Sequence, residues 1–524
     1  MELEPPALLS STADSLTSIP VDILIPILCR LDHISLLRCS AACKYLRNVI
    51  EAVSYLRCVI ALGADGSVEI PTSGRVSVVK RLQDLLDFRA RWRTLDWKNR
   101  RSTRISTSQF STMNDALITT SRYADQDIRS IAVTVLPTQD SAQRRIVIND
   151  FMVPQHSDFR TFFLDPARDL LVLAVEFRHY SLHFRSLRKT PMQAHPRCAS
   201  PFVDIHNLFW RSYGRVQSMR AMGDLIGVHF RGEERDVVYL YNWVTGEQFP
   251  ELHGGDDYLR FHDFDFVSAS SFVIAVIPRR PSPQATTTPA GMIWVYDMVA
   301  SGGTFRTSYK LALILHLPIL SQDVHVLSMQ CSPEHTTTLS DGRPSPTSHA
   351  VAFDLNLLAL QMPLRSNRCR RAWLRLIVRR DVFSSLVKRF PEAGSPSSTP
   401  TLDWEDWGPD NTRLFAPEWT PRNPSGNIQS GRIVRTATDV LGSRYSEVLD
   451  FNAGRYKFHE LVTSPTMVYE PLLFRDTIIT HLPYHAVSIP DSECYNDFMV
   501  GEDRLVCFQP PAISDAVQVD IFEF

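Results

Sequence analysis

At 524 residues, with 44% of them hydrophobic, the chain can bury a substantial core and is long enough for one small domain beside a larger, repeat-built one. Its formal net charge of −2 provides no overall field to hold nucleic acid or an anionic membrane. Nine cysteines are scattered from Cys29 to Cys507 without a CxxC pair, and Cys39 and Cys43, one helical turn apart, have no second pair at metal spacing, so reduced, buried thiols and no metal are expected.

Residues 1–15, MELEPPALLSSTADS, read as a flexible tail; they are acidic and lack the basic and apolar regions of a secretory signal. From 16 to about 54 the apolar period is helical. Ile23, Leu24, Ile27, Leu28 and Leu31 share one face, and Leu36, Cys39, Cys43, Leu46, Ile50 and Val53 form a second stripe. Pro20 suits a first helical turn, where its missing N–H costs nothing. Residues 55–62, YLRCVIAL, switch to strand character and end at Gly63 and Gly66. A second helical segment, about 77–91, carries Val79, Leu82, Leu85 and Leu86, and RWRTLDW (91–97) follows as a strand candidate.

Beyond residue 100 the chain alternates short apolar runs with turns rich in Asp, Gly, Asn and Pro. FRTFFLDPARDLLVLAVEF (159–177), DVVYLYNWVTGE (236–247), SSFVIAVIP (270–278), GMIWVYDM (291–298) and RAWLRLIVRR (371–380) are examples. A run ending in a turn, a buried run, a polar turn and an aromatic-rich run closing on Asp or Asn is how successive antiparallel strands of propeller blades read. Ser/Thr/Pro-rich inserts near 279–291, 332–349 and 391–401 cannot build a core and are expected to be disordered. The expected fold is mainly β: a propeller-like body of six or seven irregular blades over 55–524, with a small all-α domain over 16–54. Strand 55–62 or 93–97 would pair with the apolar C-terminal 517–524 and close the ring.

Residues 16–50 resemble an F-box, whose pattern runs L-x-x-L-P-x-E, an I-L pair, an L and a later C-K-x-W-R. Leu16, Ile19, Pro20, Asp22, Ile27, Leu28, Leu31, Leu36, Cys43, Lys44 and Arg47 stand at matching places. Ile19 replaces the usual Leu, Asp22 the usual Glu, and Leu46 stands where the family often has Trp. Pro26 falls inside the first helix, where an interior proline costs about 3 kcal/mol unless the helix kinks. The resemblance implies that this segment docks the small adaptor subunit of an SCF-type ubiquitin ligase and, through it, a cullin. The implied adaptor-binding residues are Leu16, Ile19, Pro20, Ile23, Leu24, Ile27, Leu28, Leu31, Leu36, Cys43, Lys44 and Leu46. The physical basis is helix-in-groove recognition, with apolar anchors at i, i+3 and i+4 filling a cleft. The order of the remaining segments, with FLDPARDLLVL and DWGPDNTRLF, is similar to a large group of F-box proteins of mushroom-forming fungi.

Other chemistry is weighed on the residues themselves. Basic residues Lys80 to Arg104 and Arg365 to Arg380 interleave with tryptophans, but the balanced overall charge favours an acidic protein segment over nucleic acid as what they meet. DWEDWGPD (403–410) lacks the D-x-D-x-D-G spacing of a calcium loop and reads as a turn. HDFDF (262–266) reads as the edge of a strand, and His316, His325, His481 and His485 lack spaced partners. No G-x-S-x-G, H-E-x-x-H, Walker or G-x-G-x-x-G motif is present, so no catalytic residue, cofactor or metal is expected. No apolar run reaches the roughly 18 residues that cross a bilayer, and Asn423 is followed by Pro424, which bars N-glycosylation. The expectation is a cytoplasmic and/or nuclear, non-catalytic ligase subunit that binds an unknown target protein. A non-ligase interaction scaffold and a propeller enzyme are the alternatives.

Overall fold

In a computed structural model, the described residues are 19–65, 77–106, 110–114, 117–124, 127–136, 144–148, 158–165, 168–176, 180–187, 193–205, 215–232, 236–254, 259–278, 288–300, 307–332, 350–360, 369–390, 399–418, 428–438, 442–509 and 516–524. Two compact units are present, Met1–Thr94 and Leu95–Phe524. The expected tail and most of each expected disordered insert lie outside the described residues. No helix among the described residues is long and apolar enough to cross a membrane.

The first unit is helical: α1 (Val21–Leu28), α2 (His33–Ala42), α3 (Lys44–Ala52), α4 (Ser54–Ala64) and α5 (Val78–Thr94). Two strand readings are corrected here. Residues 55–62 lie in α4, where Leu56 is buried in the core with α1 to α3, and Cys58 and Ala61, three apart, are buried with Leu82 of α5. An apolar run of eight fits a buried helix as well as a strand, and packing against neighbouring helices decides it. RWRTLDW is likewise the end of α5 followed by a turn, not a strand. The boundary between units therefore falls after Thr94 rather than after residue 54.

The second unit is mainly β and propeller-like. Seven antiparallel sheets follow one another along the chain. Blade 1 comprises Phe110–Asn114, Leu117–Ala124, Asp127–Val135 and Arg144–Ile148. Blade 2 comprises Asp158–Asp165, Leu170–Glu176, Tyr180–Ser186 and Phe202–Ile205, and blade 3 Arg215–Met222, Leu225–Arg231, Asp236–Asn242 and Leu252–His253. Blade 4 is built from Leu259–Ser268, Ser271–Pro278, Met292–Ala300 and Thr307–His316, with the short Thr401–Leu402 added in parallel. Blade 5 contains Val324–Ser332, Ala350–Leu360, Cys369–Arg379 and Thr412–Glu418. Blade 6 has Arg432–Thr438, Arg444–Asp450 and His485–Ser488, and a two-stranded ribbon, Thr466–Val468 with Ile478–Thr480, is inserted between its last two strands. Asp497–Val500, Arg504–Phe508 and Ala516–Glu523 form blade 7, whose fourth strand is Asn99–Ser106.

That last pairing brings the two ends of the second unit into one sheet: the register runs antiparallel from Asn99 opposite Glu523 to Ser106 opposite Ala516. Residues 517–524 were expected to pair with 55–62 or 93–97, and the partner is neither. The closing strand begins two residues past the second candidate, with Lys98 N–H donating to Glu523 C=O at 2.7 Å.

Why middle strands read as unbroken apolar runs follows from this stacking. A blade's inner strands are covered on both faces by neighbours, so Leu170 to Val175 and Phe272 to Ile277 are buried throughout rather than alternately. The cores accordingly lie between blades. One packs blade 2 on blade 3 through Phe184, Phe230 and Tyr239. Others join blades 3 and 4 (Leu240, Phe264, Phe272), blades 4 and 5 (Val295, Leu313, Phe353), and blades 5 and 6 (Ile377, Phe415, Leu449). Leu136, at the end of a blade 1 strand, packs with Val506 and Val519 of blade 7. At Gly227 a Cβ would lie 2.5 Å from the Phe264 ring, so only glycine lets blades 3 and 4 approach this closely.

Polar clasps add to the apolar contacts. Asp263 of blade 4 accepts from Ser218 Oγ at 2.6 Å and Arg220 Nη2 at 3.1 Å on blade 3, and from Cys331 N–H at 3.0 Å on blade 5. It thereby ties three blades, which corrects the reading of HDFDF as a strand edge. Arg375 forks onto Asp354 at 2.6 and 2.9 Å, and Arg379 pairs with Asp381. DWEDWGPD also departs from expectation: Trp404–Asn411 form a helix, with Trp404 and Trp407 buried and Trp407 Nε1 donating to His316 C=O at 2.9 Å.

Candidate functional site

The helical unit carries the segment singled out by sequence. Pro20 precedes α1 in extended conformation, and its carbonyl accepts from the N–H groups of Ile23 and Leu24, both at 3.0 Å. Pro26 lies inside α1, but it is exposed and the helix ends two residues later at Leu28. The hydrogen bond it removes lies in a short, solvent-facing helix, where water can replace it. Asp32 caps α2 by accepting from Ser35 N–H at 2.7 Å, and the Ser35 side chain, followed by that backbone bond, holds its carboxyl below the usual carboxylate range. Tyr45 Oη donates to Ile19 C=O at 3.1 Å, tying the approach to α1 onto α3.

The sequence-predicted residues fall into two groups. Leu24, Leu28, Leu36 and Leu46 are buried with Val49, Ile50 and Leu56 in the unit's own core, and Ile19, Leu31 and Cys43 pack half-buried against it. Leu46, which replaces an expected tryptophan, is thus a core residue. Pro20, Ile23, Ile27 and Lys44 face solvent, with Ile23 57% and Ile27 49% exposed. Leu16 lies outside the described residues. Ile23 and Ile27, one turn apart, form an exposed ridge on α1 beside the buried Leu24–Leu28 stripe that anchors the helix.

Three exposed apolar residues escaped the sequence reading: Val21 on α1, and Ile34 and Leu37 on α2. Their signal was present, since Ile34 and Leu37 sit at i, i+3 out of phase with the buried Leu36. The close helix packing beneath this surface depends on Gly63 of α4, where a Cβ would lie 2.1 Å from His33 Cγ and 2.3 Å from His33 Cβ. Asp65, after α4, is held by Arg89 Nη2 of α5 at 2.9 Å.

In the body, the largest exposed apolar side chains gather on the blade 6 insertion. Met467 and Ile479 are directly paired across the ribbon, and Tyr469 and Leu472 follow in its connection. Among the described residues no group of three or more His, Cys, Asp or Glu side chains is placed to hold a metal ion. Of the four singled-out histidines, His316 Nδ1 contacts Asp403 at 3.0 Å, His485 stacks on Tyr456 at 4.2 Å, and His325 and His481 are exposed.

No curated protein matches the chain. Among solved structures, the C-terminal WD40 domain of Sif2 is similar at 9% identity, over 78% of this chain and 93% of its own, with a TM-score of 0.29. The Dos1 propeller is similar at 9% identity, over 78% of this chain and 74% of its own, with a TM-score of 0.32. Hsv2 of Kluyveromyces lactis is similar at 11% identity, over 51% and 72%, with a TM-score of 0.28. Scores this low carry no argument about function, and the propeller architecture rests on the strand order above. The F-box-like family model matches residues 16–56, which span α1 to α3 and the start of α4. Residues 16–56 are an F-box-like domain.

Proposed function

We propose that this chain is the substrate-recognition subunit of an SCF-type ubiquitin ligase. Its F-box-like helices dock the adaptor subunit, which links to a cullin, and the propeller-like body binds a target protein. The observation that carries the reading is the division of labour within α1. Leu24 and Leu28 hold the helix to its own domain, while Ile23 and Ile27 leave a solvent-facing ridge. Within the helical unit the described residues leave both exposed, as an anchor for a second polypeptide requires. Burying the exposed part of each isoleucine is worth about 1 kcal/mol, before the costs of association. The contact set is accordingly Pro20, Ile23, Ile27 and Lys44, with Val21, Ile34 and Leu37 added, while the buried leucines position them. The target-binding half of the reading is supported by the body's size and by the exposed apolar ribbon of blade 6.

The protein carries out no bond chemistry in this scheme. It raises the effective concentration of target lysines near the ubiquitin-charged conjugating enzyme. The test is co-purification of adaptor and cullin with full-length chain carrying Ile23→Asp and Ile27→Asp. These surface changes leave the core intact, so loss of both partners is expected with the fold retained. Equal recovery with the double variant refutes the docking surface. Recovery of adaptor without cullin identifies an interaction scaffold instead.

A further inference from the structure

Seven of the chain's 55 Lys and Arg residues are lysine, although lysine is ordinarily among the commonest residues in proteins. Part of the bias has a structural cause. Arg375 forks onto Asp354, Arg432 bonds the buried Asp450, and every nitrogen of the fully buried Arg413 donates a hydrogen bond. At such places the planar guanidinium does what an ammonium cannot. That cause is absent at the surface. Arg30, Arg38, Arg57, Arg215, Arg370 and Arg371 are solvent-exposed, where a point charge would serve equally for solubility. None of the three Ser/Thr/Pro-rich inserts, 279–291, 332–349 and 391–401, contains lysine, and the first two contain arginine.

We infer that the chain is a poor acceptor of the ubiquitin it helps to transfer, because most of its positive charge is carried by a side chain that cannot accept it. The inference rests on the ligase reading above. In transfer, a deprotonated lysine Nζ attacks the thioester carbonyl that joins ubiquitin to the conjugating enzyme's cysteine. The C–N bond forms, the C–S bond breaks, the thiolate leaves, and the surplus proton on nitrogen passes to solvent. A guanidinium is protonated at every physiological pH and offers no lone pair for this attack. A receptor held beside the charged enzyme for repeated cycles is itself the nearest polypeptide, so lysine on its own surface competes with the target by proximity. Arginine keeps the charge and removes the competitor.

The experiment compares full-length wild type with the Arg215→Lys, Arg370→Lys, Arg371→Lys triple variant, both reconstituted with adaptor, cullin and ubiquitin-charged conjugating enzyme. All three sites are exposed and belong to the second unit rather than to the helical one. Adaptor and cullin retention is measured first, then ubiquitin attached to the chain over time. The expected result is slow modification of wild type and a several-fold faster rate for the variant at equal adaptor retention. Equal rates with equal retention overturn this inference alone. A wild-type chain that retains no adaptor overturns both it and the ligase reading, and is seen before ubiquitin is added.

Discussion

Arg413 offers the sharpest test of how the body is held together. Its side chain is fully buried and meets no carboxylate among the described residues. Nε donates to Leu482 C=O at 2.9 Å; Nη1 donates to Ser464 C=O at 2.9 Å, Thr466 Oγ1 at 2.8 Å and Thr480 C=O at 3.2 Å; Nη2 donates to Val462 C=O at 3.3 Å. The guanidinium also lies 4.8 Å from the Tyr484 ring centroid. One residue of blade 5 therefore fastens the whole 462–484 insertion of blade 6. A hydrogen bond from a charged donor nets about 1.5–3 kcal/mol, so five would sum far above any measured single-site effect. Desolvating the cation opposes that sum by several kcal/mol, and burial does lower its pKa. The difference, together with the carbonyls left unpaired, sets the expected cost of Arg413→Met at about 3–5 kcal/mol. Arg413→Lys keeps the charge but loses the fork, and is expected to lose about half as much. Urea unfolding of the body's transition gives the ranking, and limited proteolysis localises it to residues 462–484. If the methionine variant unfolds within about 1 kcal/mol of wild type, the hub reasoning is wrong.

Two further outcomes follow from buried groups. Burial, followed by neighbouring arginines, pushes the pKa of His229 and His262 down to about 3, and that of His183 to about 4. The folded values lie below the unfolded value near 6.5, so the unfolded chain binds more protons between them and stability falls as pH drops from about 6.5 toward 3. Asp265, raised to about 6 by burial, works in the opposite direction but is one group against three. Thermal unfolding at stepped pH should show the fall, and His229→Leu, which removes two unpartnered ring nitrogens, should flatten it; an unchanged slope would contradict the assignment. In the helical unit, Gly63→Ala places a methyl against His33 and is expected to cost about 1–3 kcal/mol, read as loss of helical circular dichroism at lower temperature and weaker adaptor capture. Full retention of both would show that α2 and α4 can part without consequence.

How much of this was legible in the sequence varies by element. The F-box-like segment was readable because its signal is local: Pro20, the Ile27–Leu28 pair and Cys43–Lys44 lie within one short stretch. Which of two adjacent stripes faces inward was not, because Ile23 and Leu24 are equally apolar and only packing on α3 and α4 selects the leucines. YLRCVIAL misled for a related reason, since a buried helix and a buried strand share a composition. DWEDWGPD was misread as a turn from its Gly-Pro; Asp403 at the N-cap position with Glu405 and Asp406 in the first turn was the helix-start pattern that outweighed it. The clasps were illegible in principle. Asp263 to Cys331 and Arg413 to Leu482 join positions far apart along the chain, and neither residue looks unusual where it stands.

The pairing of Asn99–Ser106 with Ala516–Glu523 also dictates an order of events at the ribosome. The first strand of the body waits for a partner that lies 424 positions later at Asn99 and Glu523, and contacts of such long sequence separation form slowly. A chain ending before Ala516 would leave Asn99–Ser106 with an unpaired edge. The helical handle, by contrast, needs nothing from downstream of Thr94 to build its core. Truncated products would therefore carry a finished helical unit on an unfinished body.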